Sequence, residues 1–265
     1  MKKVASFCFL SLMLSLGAYS TFAQDAAPRR MQAGMTGNFG INMVKPTDSY
    51  FNSAPFNHDL SVGMIFNTSF KSAPNLGIST GFEFEFTKLN YEAADSVFYR
   101  YAGANILHQD ELGGTTYLLT DRQYSTVGIA VPFMMLFRMD PIGDWKIFAK
   151  FGIRNSFMVS QRINDRGFDV GADANGPTFT AKENANLKSF GDQFFYKGSV
   201  GFSAGAEWNF IGSTSLVPEL GFFYGLTPLH FRAIEDNYTF SDASGTYFYQ
   251  KARQNQLILK LSLLF

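Results

Sequence analysis

The sequence has 265 residues with 22 basic and 22 acidic side chains, so its formal net charge is zero at neutral pH. This balance excludes nucleic acid as the main partner, because nucleic-acid-binding domains carry a clear excess of Lys and Arg. Aromatic residues make up 17% of the chain, including 30 Phe, yet no apolar run after residue 23 reaches the roughly 20 residues that a membrane-spanning helix needs. Such a composition fits a transmembrane β-barrel, in which lipid-facing and interior residues alternate.

The N-terminal residues have the three parts of a secretory signal peptide. A basic start is followed by an apolar stretch from Val4 to Ala18 and by a cleavage site of small residues ending at Ala23. A membrane anchor is disfavoured because the apolar stretch is short and no basic cluster follows it. The single cysteine, Cys8, falls inside this peptide, so the exported chain would form no disulfides. We predict a signal peptide over 1–23, a short periplasmic segment over 24–30 and one outer-membrane barrel domain over 31–265.

From residue 31 onward, apolar and polar residues alternate with a period of two. The first such segment, 31–43, carries mainly Met, Phe and Ile at odd positions and Gln, Thr and Asn at even positions. This alternation predicts a strand with one apolar face. No charged residue falls on the apolar face of any of the segments that share the pattern. In chain order they are 31–43, 60–70, 76–86, 127–137, 145–155, 194–210, 216–226 and 255–265.

The fourth segment fits the pattern least well. Its inner face is not very polar, and Pro132 falls on that face in the middle of the strand. Because proline cannot donate a hydrogen bond to a neighbouring strand, we predict a bulge or a weak pairing at this position.

The links between these segments alternate strictly between short and long. Three links are short: 71–75, 138–144 and 211–215. Four links are long: 44–59, 87–126, 156–193 and 227–256. A soluble sandwich also has alternating strands, but it has no reason to sort its loops in this way. Short periplasmic turns and long extracellular loops are typical of outer-membrane barrels. The sequence therefore predicts an all-β, eight-stranded, antiparallel, up-and-down transmembrane barrel with both termini on the periplasmic side.

Two of the long links contain short aromatic runs that resemble strands. In 87–126 we predict a hairpin that extends the third and fourth strands above the membrane, and 235–250 is a similar candidate. Ten membrane strands remain possible if the first hairpin enters the membrane. The tyrosines of these links could contact a ligand, or they could pack against one another within the loops.

Charged residues on the inner faces of the strands would fill the interior of the barrel. Eight strands enclose a lumen that side chains can fill, and buried charges persist only when they are paired. We predict a lumen charge network that consists of Glu83, Glu85, Lys146, Lys150, Arg154, Lys197, Glu207, Glu219 and Lys260. Strand direction places Lys146, Glu207, Glu219 and Lys260 near the periplasmic end, and Glu83, Glu85, Arg154 and Lys197 nearer the outer end, with Lys150 between. A solvated lumen without specific pairing is the alternative.

The last segment, 255–265, must pair with the first, because an open sheet edge is not tolerated in lipid. Its outward face carries Leu257, Leu259, Leu261, Leu263 and Phe265. The terminal aromatic residue is expected in the periplasmic interfacial girdle, together with Trp145, Trp208 and Phe210.

With these features the chain resembles the small outer-membrane β-barrel family, the porin-like and PorT/OmpA-type barrels of Gram-negative bacteria. The resemblance rests on the signal peptide, on "VPFMMLFRM" at 131–139, on "ELGFFYGLTPL" at 219–229 and on the terminal Phe265 after alternating leucines. It implies location in the cell outer membrane and contact with outer-membrane lipid. It also implies that the barrel-assembly machinery reads the terminal strand during biogenesis.

The sequence gives little support for catalysis. The three histidines, His58, His108 and His230, lie far apart and none has a metal ligand at the usual spacing. A rim site built from His230, a serine and an acid is the alternative. We predict no catalytic residue, cofactor or metal, and a structural or surface-interaction role through long extracellular loops above a plugged lumen. The partner, an extracellular ligand or a secretion-complex protein, is not identified. A narrow porin-like channel and an accessory barrel of a protein-secretion complex are the alternatives.

Overall fold

The structure is a computed structural model that describes residues 30–108, 111–174, 176–188, 193–211, 214–230 and 239–265. The predicted signal peptide therefore lies outside the described residues, as does the predicted periplasmic segment except for its last residue. Within the described ranges, no helix is long and apolar enough to cross a membrane.

Eight long strands form the wall of the molecule and correspond to the eight predicted segments. They are β1 (Met31–Pro46), β3 (His58–Ser69), β4 (Leu76–Ala102), β6 (Thr115–Arg138), β7 (Trp145–Asp173), β9 (Tyr196–Ile211), β10 (Thr214–Gly225) and β13 (Ala252–Leu264). Five further strands lie in the long links. They are β2 (Phe51–Ser53), β5 (Asn105–Leu107), β8 (Gly176–Leu187), β11 (Phe240–Ser241) and β12 (Tyr247–Phe248).

The eight long strands close into one antiparallel ring. Around the ring the order is β4, β3, β1, β13, β10, β9, β7 and β6, and β6 pairs again with β4. The seam between the ends of the chain runs from the Gly34–Leu264 pair to the Pro46–Ala252 pair. The backbone N–H of Phe265 then donates to the carbonyl of Ala33 at 2.8 Å. The predicted eight-stranded barrel and the predicted pairing of the terminal strands are confirmed.

The period-two pattern also places the side chains as predicted. Phe84 and Phe86 of β4 are about half exposed on the outer face, whereas Glu83 and Glu85 between them are buried in the interior. The same alternation occurs in β1, where odd residues face outward and even residues inward. In a transmembrane barrel, exposed apolar faces of this kind are covered by lipid.

Pro132 interrupts the ladder between β4 and β6, as the sequence predicted. Pairs are present from Leu76–Phe137 to Thr80–Phe133 and again from Glu83–Ala130, and the two pairs between them are missing. The register does not change across this gap, so the proline weakens the pairing without producing a bulge. The Thr80 hydroxyl donates to the Pro132 carbonyl at 2.9 Å and bridges the gap.

Three wall strands are much longer than a membrane requires. β4 has 27 residues, β6 has 24 and β7 has 29, whereas a transmembrane strand needs about 9–11. The pairing of β4 with β6 continues to Tyr101–Thr115. The 87–126 link therefore extends the third and fourth strands above the membrane as predicted. It adds no strand to the ring, so the ten-stranded alternative is wrong.

Two other long links also contain strands; for 235–250 the sequence predicted a hairpin, whereas for 156–193 it predicted only a long loop. In 156–193, β7 continues to Asp173 and turns back into β8, which pairs along it from Ile163–Leu187 to Asp173–Gly176. In 235–250, β11 and β12 form only a short hairpin. Among the described residues, its one ladder pair with β4 is Ser241–Phe98, and it does not extend the seventh and eighth strands. Residues 231–238 of that link lie outside the described part of the chain.

Candidate functional site

The upper part of the lumen holds a cluster of charged groups that includes residues from three wall strands, none of which pairs with another of the three. Glu83 and Glu85 come from β4, Arg154 from β7 and Lys260 from β13. Each side chain reaches the interior because it lies at one of the alternate positions of its strand that face inward. Arg154 Nη2 lies 2.7 Å from Glu83 Oε2, and Lys260 Nζ lies 2.7 Å from Glu83 Oε1. Glu83 is therefore held by two cations from opposite sides of the ring.

The second carboxylate of β4 has its own set of partners. Lys197 Nζ lies 3.4 Å from Glu85 Oε1, and Arg154 Nη1 lies 3.9 Å from Glu85 Oε2. The Ser156 hydroxyl also donates to Glu85. Arg154, Glu83 and Glu85 are each at most 3% exposed. Charges that are removed from water need both an opposite charge and hydrogen-bond partners, and Glu83 and Glu85 each have nearby cations that meet this need.

Farther toward the periplasmic end, Lys150 and Glu219 form a second buried pair. Lys150 Nζ lies 2.5 Å from Glu219 Oε2, and the Ser203 hydroxyl donates to Glu219 Oε1 at 2.6 Å. The ammonium group also lies 4.8 Å from the ring centre of Phe148. Lys150 is 3% exposed and Glu219 is 6% exposed, so both are shielded from water.

The lowest pair involves an arginine that the sequence analysis missed. Arg138 Nη2 lies 2.8 Å from Glu207 Oε1, and the same guanidinium donates to Ser69 and Gln32. Lys146 lies opposite Glu207 in the β7–β9 ladder, but Glu207 forms its ion pair with Arg138. Arg138 was missed because the predicted fourth strand ended one residue before it. The alternation along that strand places even-numbered residues such as Pro132 on the inner face, so it also indicated an inward position for Arg138.

The predicted grouping of these charges differs from the structure in two respects. The sequence placed Lys260 with the periplasmic group, whereas its ammonium contacts Glu83 of the upper group. It also grouped Glu207 with Lys146, Glu219 and Lys260, whereas Glu207 pairs with Arg138. Lys146 is half-buried and lies beside that pair. Both differences arise because long Lys and Arg side chains reach across the small lumen to another level.

Two small cavities lie between these groups. One is lined by Glu85, Arg154 and Lys197 with neighbouring residues, and its volume is about 20 Å³. The other is lined by Lys150, Glu219 and neighbouring residues and has the same volume. A cavity of this size holds about one water molecule.

Above the lumen, the extended strands enclose a compact group of rings, here called the aromatic cap. Its members are Phe51, Tyr91, Tyr99, Tyr101, Tyr117, Tyr124, Phe240 and Phe248. All are at most 9% exposed. The sequence analysis left open whether the loop tyrosines contact a ligand or pack against one another. The five tyrosines of the aromatic cap pack within the extracellular part and do not present their rings to solvent.

A buried ion pair lies at the centre of the aromatic cap. Arg122 Nε and Nη2 donate to the two carboxylate oxygens of Asp165 at 2.9 and 2.6 Å. The guanidinium also lies 5.0 Å from the ring centre of Tyr99 and 4.8 Å from that of Phe240. Burial is the larger cause, and the Asp165 carboxylate the smaller, of a strongly raised pKa for the Tyr99 phenol. Tyr99 therefore remains a neutral ring next to the ion pair.

The histidines are not grouped. His230 is 3% exposed, and its Nε2 lies 2.8 Å from the Tyr91 hydroxyl. His58 packs against Phe56 on the wall of the barrel, and His108 follows β5. In the described ranges, no three His, Cys, Asp or Glu residues are arranged to hold a metal ion.

The aromatic residues at the opposite end of the barrel form part of the predicted girdle. Trp145 and Trp208 are cross-strand partners, their rings stack with centres 5.6 Å apart, and both are exposed on the outer face. Leu257, Leu259 and Leu261 are exposed on the same face of β13. The side chain of Phe210 lies outside the described part of the structure.

A closed ring of eight strands with an uncharged outer face and a charged interior defines an integral outer-membrane β-barrel. A family model described as "Outer membrane protein beta-barrel domain" matches residues 22–230. The chain belongs to this family and is a protein of the cell outer membrane. Contact with outer-membrane lipid follows from the same finding. Among curated proteins, no sequence matches the chain.

Several solved outer-membrane proteins are similar in structure at low sequence identity. Ail, the attachment invasion locus protein of Yersinia pestis, is 10% identical with a TM-score of 0.34, over 89% of this chain and 100% of that one. Neisserial surface protein A is 8% identical with a TM-score of 0.30, over 89% and 98%. The outer membrane protease OmpT of Escherichia coli is 9% identical with a TM-score of 0.33, over 93% and 99%. None of these similarities extends to a function.

Proposed function

We propose that this protein is a non-enzymatic outer-membrane barrel whose lumen is plugged by paired charges and whose extracellular strands contact a partner at the cell surface. The observation that supports it best is the way the charged groups span the lumen. Arg154 of β7 contacts Glu83 of β4, and Lys260 of β13 contacts the same carboxylate from the other side. Such contacts cross the interior instead of lining its wall, so they occupy the path that a solute would take.

The lower pairs and the aromatic cap support the same proposal at other depths. Lys150 with Glu219, and Arg138 with Glu207, close successive levels below Glu83. Above it, the rings of the aromatic cap pack around Arg122. Opening a path would require several buried ion pairs to separate, and each would leave an uncompensated charge.

The surface that would meet a partner is the ribbon formed by the end of β7 and β8. Most residues of β8 are exposed on both faces, and the ribbon ends in the Asp173–Gly176 pair. A ribbon anchored through β7 to the wall of the barrel is a rigid support for contacts at the cell surface. The absence of enzymatic activity is part of the proposal, and it is supported by the separation of the three histidines from one another.

Planar bilayer recording tests the plug. The wild-type protein should show no stable conductance. Replacing Lys150 and Arg154 by Ala removes the ammonium group that pairs with Glu219 and one of the two cations that contact each of Glu83 and Glu85, and should produce stable steps. Because two cations are lost beside Glu219, Glu83 and Glu85 while these carboxylates stay, the steps should shift toward selectivity for cations. As a matched control, Lys71→Ala with Arg166→Ala also removes two positive charges, from exposed sites outside the lumen, and should remain silent.

Two results would favour the other candidate functions. Stable conductance of the wild-type protein that the Lys150→Ala, Arg154→Ala variant leaves unchanged would indicate a narrow channel. An accessory barrel of a secretion complex should instead remain silent in lipid, and its deletion should trap an exported protein in the periplasm. Deletion of a surface-interaction barrel should leave export intact.

A further inference from the structure

Basic residues mark the upper edge of the lipid-facing band on the outside of the barrel. On β4 the outward apolar series ends at Phe86, and the next outward residue is Lys88. On β1 the series ends at Met43 and is followed by Lys45. Arg253 of β13 and Arg162 of β7 are the first charged residues beyond the outward Leu257 and Phe157. On these four strands, the first outward charge above the apolar band is therefore a cation.

Strand pairing brings these cations close together in two places. Lys45 and Arg253 are direct cross-strand partners in the β1–β13 ladder, so their Cβ atoms lie roughly 5 Å apart on the same face. Lys88 and Arg162 both pair with Ser125 of the intervening strand β6. They are thus two interstrand spacings apart, or about 10 Å. All four side chains are exposed.

Acidic groups on the protein do not compensate these cations. Among the described residues, none of the four side chains forms an ion pair. The outward acids Glu92 and Asp121 face each other, and Glu92 is four residues beyond Lys88, or about 13 Å along the strand. Asp48, near the β1–β13 corner, is already occupied by the backbone N–H groups of Tyr50, Phe51 and Lys251.

Like charges on directly opposed residues destabilise a sheet, so a pair such as Lys45 and Arg253 requires an anion from outside the protein. The position identifies that anion. The pair lies immediately above apolar side chains that contact acyl chains, at the level where lipid headgroups begin. Phosphate binds Lys and Arg through short, charge-assisted hydrogen bonds. An anion on a lipid can contact these cations while its acyl chains lie against Met43, Leu257 and Phe86.

From this arrangement we propose that Lys45, Arg253, Lys88 and Arg162 form a binding surface for the phosphate groups of an anionic glycolipid in the outer leaflet. The two cation pairs flank β3 and hold the lipid phosphates against the wall of the barrel. The surface is separate from the lumen and does not depend on whether the lumen conducts.

Native mass spectrometry of the intact protein in an uncharged maltoside detergent tests this proposal. The probes are bis-phosphorylated lipid A and the same lipid after removal of its phosphates, in equimolar mixture. The wild-type protein should retain the phosphorylated form preferentially. A cation near an anionic headgroup changes affinity by roughly five-fold, so Lys45→Gln with Arg253→Gln should weaken binding of phosphorylated lipid A by about 25-fold. Lys88→Gln with Arg162→Gln should have an effect of similar size.

Two controls accompany these variants. Lys71→Gln with Lys188→Gln removes two exposed cations that do not lie at the upper edge of the band and should retain wild-type binding. Lys45→Arg with Arg253→Lys keeps both charges and should also bind normally, which separates loss of charge from loss of fold. Inorganic phosphate in molar excess should not displace the lipid.

Three results would overturn the proposal. One is equal retention of dephosphorylated lipid A, which would show that only the acyl chains are recognised. Another is an equal loss in the Lys71, Lys188 control, which would indicate a general effect of net charge. The third is displacement by inorganic phosphate, which would indicate a site for soluble anions.

Discussion

Replacing Lys150 by Met tests how strongly the buried charges of the lumen depend on one another. Met has a similar length and volume, so the change removes the charge without opening a large cavity. It leaves the Glu219 carboxylate, now 6% exposed, without the ammonium group 2.5 Å away. The hydrogen bond from Ser203 remains, and Lys260 is the cross-strand neighbour of Glu219.

The size of the effect follows from this geometry. Removing one member of a buried ion pair costs about 3–5 kcal/mol, because the other charge stays buried without compensation. Because Ser203 and Lys260 remain next to Glu219, we expect the lower end of this range, a loss of about 3 kcal/mol in unfolding free energy. Glu219→Gln should cost a similar amount. The double variant, Lys150→Met with Glu219→Gln, leaves neither charge. Its loss of unfolding free energy should therefore be about 2–3 kcal/mol smaller than the sum of the two single losses.

Unfolding by urea in zwitterionic lipid vesicles, followed by tryptophan fluorescence, measures these free energies. The two tryptophans, Trp145 and Trp208, stack at the periplasmic end of the wall and report on its unfolding. Lys146→Met is the matched control, because Lys146 is on the same strand and is only half-buried; it should cost less than 1 kcal/mol, as roughly expected for a partly solvated charge. If the Lys150 and Glu219 effects simply add, the two charges are solvated independently and the argument for a paired interior is refuted.

Two further predictions concern the extracellular part. A cysteine in place of Ala181 of β8 should react with a membrane-impermeant maleimide on intact cells, whereas one in place of Lys71 should react only after the outer membrane is permeabilised; the reverse pattern would contradict the orientation. Asp165→Asn should leave the buried Arg122 guanidinium uncompensated and destabilise the aromatic cap by about 3 kcal/mol. Hydrogen exchange should then show faster exchange in the extended parts of β4, β6 and β7 with unchanged lumen strands, and unaltered exchange would show that the ion pair does not support the cap.

The wall of the barrel could be predicted because lipid imposes a simple rule on the sequence. Every outward side chain in the band must be uncharged, and this leaves a period-two pattern that is visible in single segments such as 76–86. The interior partners of Glu83 could be predicted only as a group. Which Lys or Arg reaches a given carboxylate depends on the length and direction of flexible side chains, and Lys260 therefore contacts a different level from the one expected.

The aromatic cap was harder to predict because the pattern reverses above the membrane. On β4, apolar residues face outward up to Phe86, and beyond Lys88 they face inward at Leu89 and Tyr91. The reversal is present in the sequence and marks the membrane boundary. Farther along, an irregularity between Glu92 and Val97 shifts the register. Arg122 and Asp165 are partners in the β6–β7 ladder, whose register shifts between Val127 and Gly128, and no local sequence signal specifies that shift.

The most direct test of the plugged lumen is an experimental structure that resolves water molecules inside the barrel. Arg154 should bridge toward Glu83 and Glu85, Lys150 should contact Glu219, and ordered water should be confined to separate small cavities between these pairs. A continuous file of water from the aromatic cap to Arg138, with the charged side chains lying along the wall, would contradict a plugged lumen.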